Sequence, residues 1–544
     1  MQSIHNESSR LVDKDALAVS ASTNDDSFSK QPPDAKKQGG SMMHHTTWYM
    51  GTFLMLNVIV GAGILSMPYS VIHSGGLEIG LGMQLLMGVV SIGSILLLGW
   101  LMLDTAHNQS ITTMQDIAFA LTGRFGGIVV SLIIFLLYLA LCTSYLVAIR
   151  DQLADVVAKY YFTDASHVEM PWYLNRAFLV TLITGIIVAP MCYLPKVSHL
   201  QHVSTLASLC IIYILGLTIA AYFSNDLRAK HDACSPHDTA RRPIHSTNAK
   251  VTSQAQCSSS LFALTVLFGI PNFILAYFFH PPSVMIFDSL SPRTLRSICA
   301  ASCSAVAITA AVYTTISAFA VATFGNCVNE HILLNFNSAH PAALVGSIFY
   351  MLKLVLEYPV CQMAARAGLL SVIRTIIEFC HFSKSNSNPQ ETSLPCSAPK
   401  FQTNSSGVFT NNLNYSTIPK NADNYATESK FLRFDTDSSS NASRILTTLF
   451  IACTLLCALL IPSILIIVQI SGIISISLAT VAPGLFLAVK LTKHLTIRSE
   501  SATKLSQMST CKLAGLWFAA VMYTMFGMVT LGVGIYQTWC EFRH

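Results

Sequence analysis

Leu56-Asn57-Val58-Ile59-Val60-Gly61-Ala62-Gly63-Ile64-Leu65-Ser66-Met67-Pro68-Tyr69 is the stretch on which the reading of this chain turns. It lies in an apolar run long enough to cross a bilayer, yet it is a poor continuous helix. Gly61 and Gly63 weaken the helix at mid-depth, and Pro68 removes a backbone donor soon after. Unpaired backbone groups at that depth cost several kcal/mol each unless protein, water or a ligand satisfies them. An interrupted span offers N–H groups that can hold a carboxylate and carbonyls that can hold an ammonium or a cation. Close helix packing at small residues is the competing explanation. The Asn57 amide four residues before Gly61, together with Pro68, favours a binding site over packing alone.

Composition outside this stretch gives the setting. Of 544 residues only 11% are charged and 52% are hydrophobic, with a mean hydropathy of +0.53. Soluble domains carry about 25% charged residues. Val89–Leu103, Ile128–Ile149, Ser302–Phe324 and Leu446–Ile474 contain no Asp, Glu, Lys or Arg, and a bilayer-crossing helix needs about 20 residues of this kind. Eleven spans are expected, near 46–72, 77–103, 126–149, 174–194, 200–223, 260–288, 297–325, 341–371, 444–468, 470–490 and 511–538. The polar N-terminal tail (1–45), which has no apolar signal-peptide core, and the Ser-, Asn- and Thr-rich stretch 383–443 are expected to be disordered cytosolic segments. They flank two blocks of spans, 46–382 and 444–544.

The second interruption is expected in span 6, where Gly269-Ile270-Pro271 is followed by Phe279-His280-Pro281-Pro282-Ser283. Spans 1 and 6 then open two five-helix halves, each beginning with a broken helix. That arrangement points to an inverted-repeat transporter with its site at the bilayer midplane. Phe279 and His280 are candidate site residues beside Asn57, Gly61, Ala62, Gly63 and Ile64, although a histidine in such a place is as often structural.

Lys and Arg in the short loops favour a cytosolic N-terminus and a C-terminus on the other side. Cys234 and Cys257 then fall in a non-cytosolic loop where a disulfide is expected. Most of the other cysteines among the 15 sit in apolar blocks as small hydrophobes. No cluster has metal-ligand spacing, so no metal or cofactor is expected. A net charge of +5 gives no reason to invoke nucleic acid. No nucleophile–base pair or HExxH motif suggests an enzyme.

Span 8 carries Lys353, Glu357 and Arg366 deep in an apolar run. Lys353 and Glu357 are four residues apart and share a helix face. Intramembrane ionisable groups are costly and usually face a cavity. The alternative is a neutralised structural pair.

Several pieces of this sequence resemble the amino acid/auxin permease superfamily, in the branch of sodium-coupled neutral amino acid transporters with its lysosomal glutamine-transporting members. They are Asn57 through Leu65 with Pro68, Ser74-Gly75-Gly76, Asp151-Gln152, His280 with Ser283 through Phe287, Tyr358-Pro359 and Arg366-Ala367. The resemblance implies a LeuT-like 5+5 inverted repeat plus one extra helix, an all-α membrane protein. It also implies a small neutral amino acid as substrate, and Asn57 in the ion- and substrate-binding position. In one place the chain departs from the family, which has hydroxyl residues just ahead of the span 8 proline. Here Leu356 and Glu357 stand there, with Lys353 one turn earlier. A lysine ammonium can stand in for a bound cation, so the coupling ion, Na+ or H+, is open.

An amino-acid sensor with little transport is the alternative function. Tyr415-Ser416-Thr417-Ile418 has the form of a tyrosine sorting signal, and Glu7 through Leu11-Val12 that of an imperfect acidic dileucine. Together they favour a lysosomal or endosomal membrane over the plasma membrane.

Overall fold

A computed structural model describes residues 47–61, 63–105, 111–161, 172–193, 198–228, 266–267, 269–337, 339–385, 441–461, 463–496 and 510–543. Contacts divide the chain into residues 1–44 and 45–544, and everything described belongs to the second unit. Ala62, Cys234, Cys257, both sorting-type motifs and almost all of 383–443 lie outside the described residues.

All regular structure among the described residues is helical, apart from one isolated bridge between Arg228 and Phe336. The first span is broken as its glycines suggest. Helix α1 (Trp48–Ile59) and α2 (Gly63–His73) meet at an angle of 68°. Val60 leaves the helical region at φ −81°, ψ 72°, and the Gly61 N–H turns back to donate to the Ile59 carbonyl at 2.8 Å. Pro68 lies inside α2 and does not cause the break.

The middle of the chain continues with α3 (Leu77–Thr105) and α4 (Met114–Tyr161), which turns at Gly123 with φ +74°. Next come α5 (Arg176–Ile183), running through a π turn at Thr184–Val188 into α6 (Ala189–Cys192), and α7 (Ser198–Phe223). The sixth span consists of α8 (Ile270–Ala276) and α9 (His280–Ser289). Its interruption falls at Tyr277–Phe279, ahead of the proline pair. Pro281 and Pro282 sit in the first turn of α9, where a missing N–H costs nothing because it would have no helical partner. The prolines therefore start a helix here.

The remaining helices are α10 (Leu295–Phe324), α11 (Pro341–Ser385), α12 (Asn441–Leu460), α13 (Ile464–Ile476), α14 (Ala482–Thr496) and α15 (Thr510–Arg543). A second π turn, Ser477–Val481, joins α13 to α14. Helix α11 packs on α4 and α7, α1 on α10, and α8 on α13. The broken spans pack against α3, α4, α7, α10, α13 and α15. Large apolar side chains such as Phe53, Phe125, Leu449 and Met525 stand exposed on helix flanks, as suits a surface solvated by lipid.

Among the described residues eight helices are long and apolar enough to cross a membrane, and the bent α1–α2 pair makes a ninth span. The expected eleven are not reached by this measure. The fourth and fifth expected spans correspond to shorter apolar helices, Arg176–Cys192 and Leu209–Phe223. Cys327, in the turn that follows α10, is disulfide-bonded. The other cysteines whose side chains are described are free.

Candidate functional site

The two broken spans touch at their interruptions. A Cβ added to Gly63, the first residue of α2, would lie 3.1 Å from both Cα and Cβ of Ala276, the last residue of α8. Glycine is needed there for the close approach of two backbones. Above this contact the Asn272 amide donates to the Ser70 hydroxyl at 2.7 Å, tying α8 to α2. Beside it the buried Tyr313 of α10 points its hydroxyl at the Ile59 carbonyl (3.2 Å) and the Ala276 carbonyl (3.3 Å). These carbonyls close α1 and α8, so each sits at the negative end of a half-helix dipole. The facing positive ends are the N-termini of α2 and α9, at Gly63 and His280.

Gly61 has a different environment. A Cβ there would meet only the Tyr145 hydroxyl, at 3.8 Å, so the side facing α4 is open. The Tyr145 hydroxyl contacts the Cys361 Sγ at 3.8 Å and lies within electrostatic range of the Glu357 carboxylate, and Glu357 is ion-paired with Lys353 on the same face of α11. The Lys353 side chain is only 1% exposed. Tyr313 and Tyr350 also lie within electrostatic range of Glu357. A path of side chains thus runs from the first break through Tyr145 to the ion pair, and the second Glu357 oxygen is buried with no hydrogen-bond partner.

The other candidates divide. Asn57 is half-buried on α1, one turn before the break. Ile64 and Phe279 are fully buried, as hydrophobic lining at the two interruptions. His280, equally buried, packs against the rings of Phe278 and Phe279 at 5.2 and 6.2 Å, and neither of its ring nitrogens has a hydrogen-bond partner. A buried imidazole with both nitrogens idle is unusual and stands ready for a polar ligand. Arg366 is not part of this group. It lies about 13 Å beyond Glu357 along α11 at helical rise, donating to Thr447 at 3.2 Å alongside Gln362.

Two site residues escape a sequence reading: Tyr145 and Tyr313. Their signal is a tyrosine at mid-span in a block that holds no charge, and nothing along the chain says which face of the helix carries it.

Two interrupted helices meeting inside a multi-span helical body, backed by a buried ion pair, define a membrane transporter. The chain belongs to the transmembrane amino acid transporter protein family, which it matches over residues 44–539. This is the amino acid/auxin permease family, a family of transporters and not of enzymes. It is 24% identical over 343 residues to sodium-coupled neutral amino acid transporter 7 of Danio rerio, covering 63% of this chain and 67% of that protein. The protein of the same name from Homo sapiens is 23% identical over 329 residues, covering 60% and 65%. The matched stretch spans about two thirds of these relatives' length. Among solved structures, the Eremococcus coleocola manganese transporter aligns over 90% of this chain and 95% of that one, at 11% identity. Its TM-score of 0.33 is too low to establish a common fold.

Proposed function

We propose that the chain is a secondary active transporter of small neutral amino acids of the glutamine or asparagine type, working by alternating access around the breaks in α1–α2 and α8–α9. The observation that carries this reading is the meeting of the two interruptions at Gly63 and Ala276, where helix ends of both signs converge. An amino acid carries a carboxylate and an ammonium, and such a junction offers a partner for each. Asn57, Gly61, Ala62, Gly63 and Ile64 would hold the backbone of the substrate, with Phe279 and His280 on the opposite wall. We read the two halves as inverted repeats with one extra helix.

The coupling ion is proposed to be a proton. The Lys353 ammonium would oppose a sodium ion bound beside Glu357, where such an ion would need oxygen ligands, and Glu357 would be the group that exchanges a proton. The tyrosine-type and dileucine-type motifs support a lysosomal or endosomal membrane. A bridge between Cys234 and Cys257 stays part of the reading, with Cys327 as a competing partner on the same side.

Uptake of a panel of amino acids into proteoliposomes, at two pH values with and without sodium, tests the proposal. Saturable uptake of neutral amino acids is expected. Binding without flux for the whole panel would replace the transporter with the sensor, which no relative or structural feature favours.

A further inference from the structure

Away from the broken spans, α3, α10 and α15 line an open groove of about 760 Å³. Its wall is apolar over nearly its full length, from Gly93 and Leu97 on α3 across Ala300 on α10 to Ala519 and Tyr523 on α15. On α3 the lining runs from Gly93 to Trp100, about 10 Å of helix at 1.5 Å per residue. The groove is thus a slot running along the helices, of a size that holds a ligand. It lies at the end of the bundle where α3 finishes and α10 and α15 begin.

The mouth has a distinct electrostatic character. Arg296, in the first turn of α10, is exposed and lines the groove. The neighbouring cations are already neutralised. Arg293 is paired with Asp288 at 2.9 Å, and Lys490 with Asp104 at 2.5 Å while it lies over the Trp100 ring. Among the described residues Arg296 has neither an ion pair nor a hydrogen bond. A tryptophan and an arginine at one end of an apolar slot form the pattern of a membrane interface, and basic pockets between spans on the cytosolic side suit anionic headgroups. The loop-charge bias puts this end on the cytosolic side.

We propose that this groove is a binding site for an anionic phospholipid, with one acyl chain in the slot between α3, α10 and α15 and the headgroup phosphate paired with Arg296. The free charge at the mouth distinguishes the occupant from a zwitterionic lipid that merely coats the surface. This site is separate from the substrate junction and does not depend on the transport reading.

Native mass spectrometry of the purified full-length protein, titrated with dioleoyl phosphatidylglycerol or dioleoyl phosphatidylcholine, tests the site. The phosphatidylglycerol adduct is expected to persist at activation energies that strip phosphatidylcholine. Arg296→Gln, a change at an exposed position, should lower the ratio of retained phosphatidylglycerol to phosphatidylcholine by about fivefold, the value of about 1 kcal/mol for one arginine at a membrane surface. Ala519→Trp, which fills the slot, should remove the preferred adduct. Equal retention of the two lipids, or a preference that Arg296→Gln leaves unchanged, overturns the proposal. So does a neutral sterol that displaces phosphatidylglycerol at equal concentration.

Discussion

The Tyr313 hydroxyl lies 3.2 Å from the Ile59 carbonyl, and the same hydroxyl is 3.3 Å from the Ala276 carbonyl. A single proton on α10 therefore serves the last carbonyls of two half-helices in different spans. Helix ends leave such carbonyls without an intrahelical partner; the Ile59 carbonyl also accepts from the Gly61 N–H, so it is chiefly the Ala276 carbonyl that loses its donor, and a buried acceptor so stripped costs about 1–3 kcal/mol. Tyr313→Phe keeps the ring and removes only that donor. It is expected to lower transport efficiency about tenfold, equivalent to about 1.4 kcal/mol, while the protein still reaches the membrane. Initial rates over a range of substrate concentrations in proteoliposomes would check this. Wild-type kinetics in a well-expressed variant would remove Tyr313 from the working site.

The two glycines of the first break predict opposite kinds of damage. At Gly63 a Cβ meets Ala276 at 3.1 Å, so Gly63→Ala presses α2 against α8. Overpacking of this kind costs about 1–3 kcal/mol. Gly63→Val is thus a poor probe of binding, because it strikes the packing first. At Gly61 the nearest atom is the Tyr145 hydroxyl, 3.8 Å away, so Gly61→Ala should fold with little change and narrow the space in front of Tyr145. We expect Gly63→Ala to lower thermal stability and Ala276→Gly to restore only part of it, because the Cα of residue 276 stays within 3.1 Å of the added Cβ. Gly61→Ala should keep its thermal midpoint and raise KM. Thermal unfolding of both, with the Gly63→Ala/Ala276→Gly pair, decides the matter, and a Gly63→Ala variant as stable as the wild type would contradict the contact.

His331 predicts a pH dependence of stability. It sits in the turn before α11, outside the spanning helices. There it is 2% exposed, with its Nδ1 3.2 Å from the Gln152 amide nitrogen and its ring against Tyr350. Burial pushes its pKa down to about 3, against 6.5 in an unfolded chain. The folded protein holds this imidazole neutral. Its contribution is therefore complete above pH 6.5 and is lost as pH falls towards 3, at about 1.4 kcal/mol per unit. Between pH 6.5 and pH 5 the loss is about 2 kcal/mol. His331→Gln should flatten the decline of the thermal midpoint over that interval, and an unchanged decline would mean that the histidine is not buried neutral.

The break in span 1 was legible because glycine chemistry acts locally, and Gly61 and Gly63 mark it wherever the helix packs. The break in span 6 was legible only in outline. Pro281 and Pro282 suggested the place, yet they open α9, and the interruption lies at Tyr277–Phe279. The pairing of Lys353 with Glu357 followed from their spacing of four. Its nearness to the first break did not, since that depends on Tyr145 of α4 lying between them. Spacing also could not separate Arg366 from the pair, because one helix carries all three and only the packing partner of each turn tells them apart. The fourth and fifth spans were legible as apolar runs, but hydropathy gives no view of the π turn at Thr184–Val188 or of where each helix ends.

Coupling is the property in which the proposed function departs most from the names of the relatives, and the Lys353–Glu357 pair makes a definite prediction about it. Both groups lie on α11 in an apolar stretch, Lys353 almost wholly buried, with three tyrosines around the carboxylate. A sodium ion near the Lys353 ammonium would be opposed by several kcal/mol at the low effective dielectric of the site. Replacing sodium by choline is therefore expected to change uptake by the wild-type protein less than about twofold, or about 0.4 kcal/mol. Glu357→Gln alone strands a buried lysine, which costs about 3–5 kcal/mol, so its loss of activity would be ambiguous. The informative variant is Lys353→Ala/Glu357→Thr, which removes both charges together and supplies a hydroxyl ahead of Pro359. This variant should lose the pH dependence of uptake, and restored sodium dependence would place the vacated ammonium in the cation site. A steep sodium requirement in the wild type, or a pH profile unaltered in the double variant, would take the pair out of the coupling mechanism and leave it a neutralised structural contact.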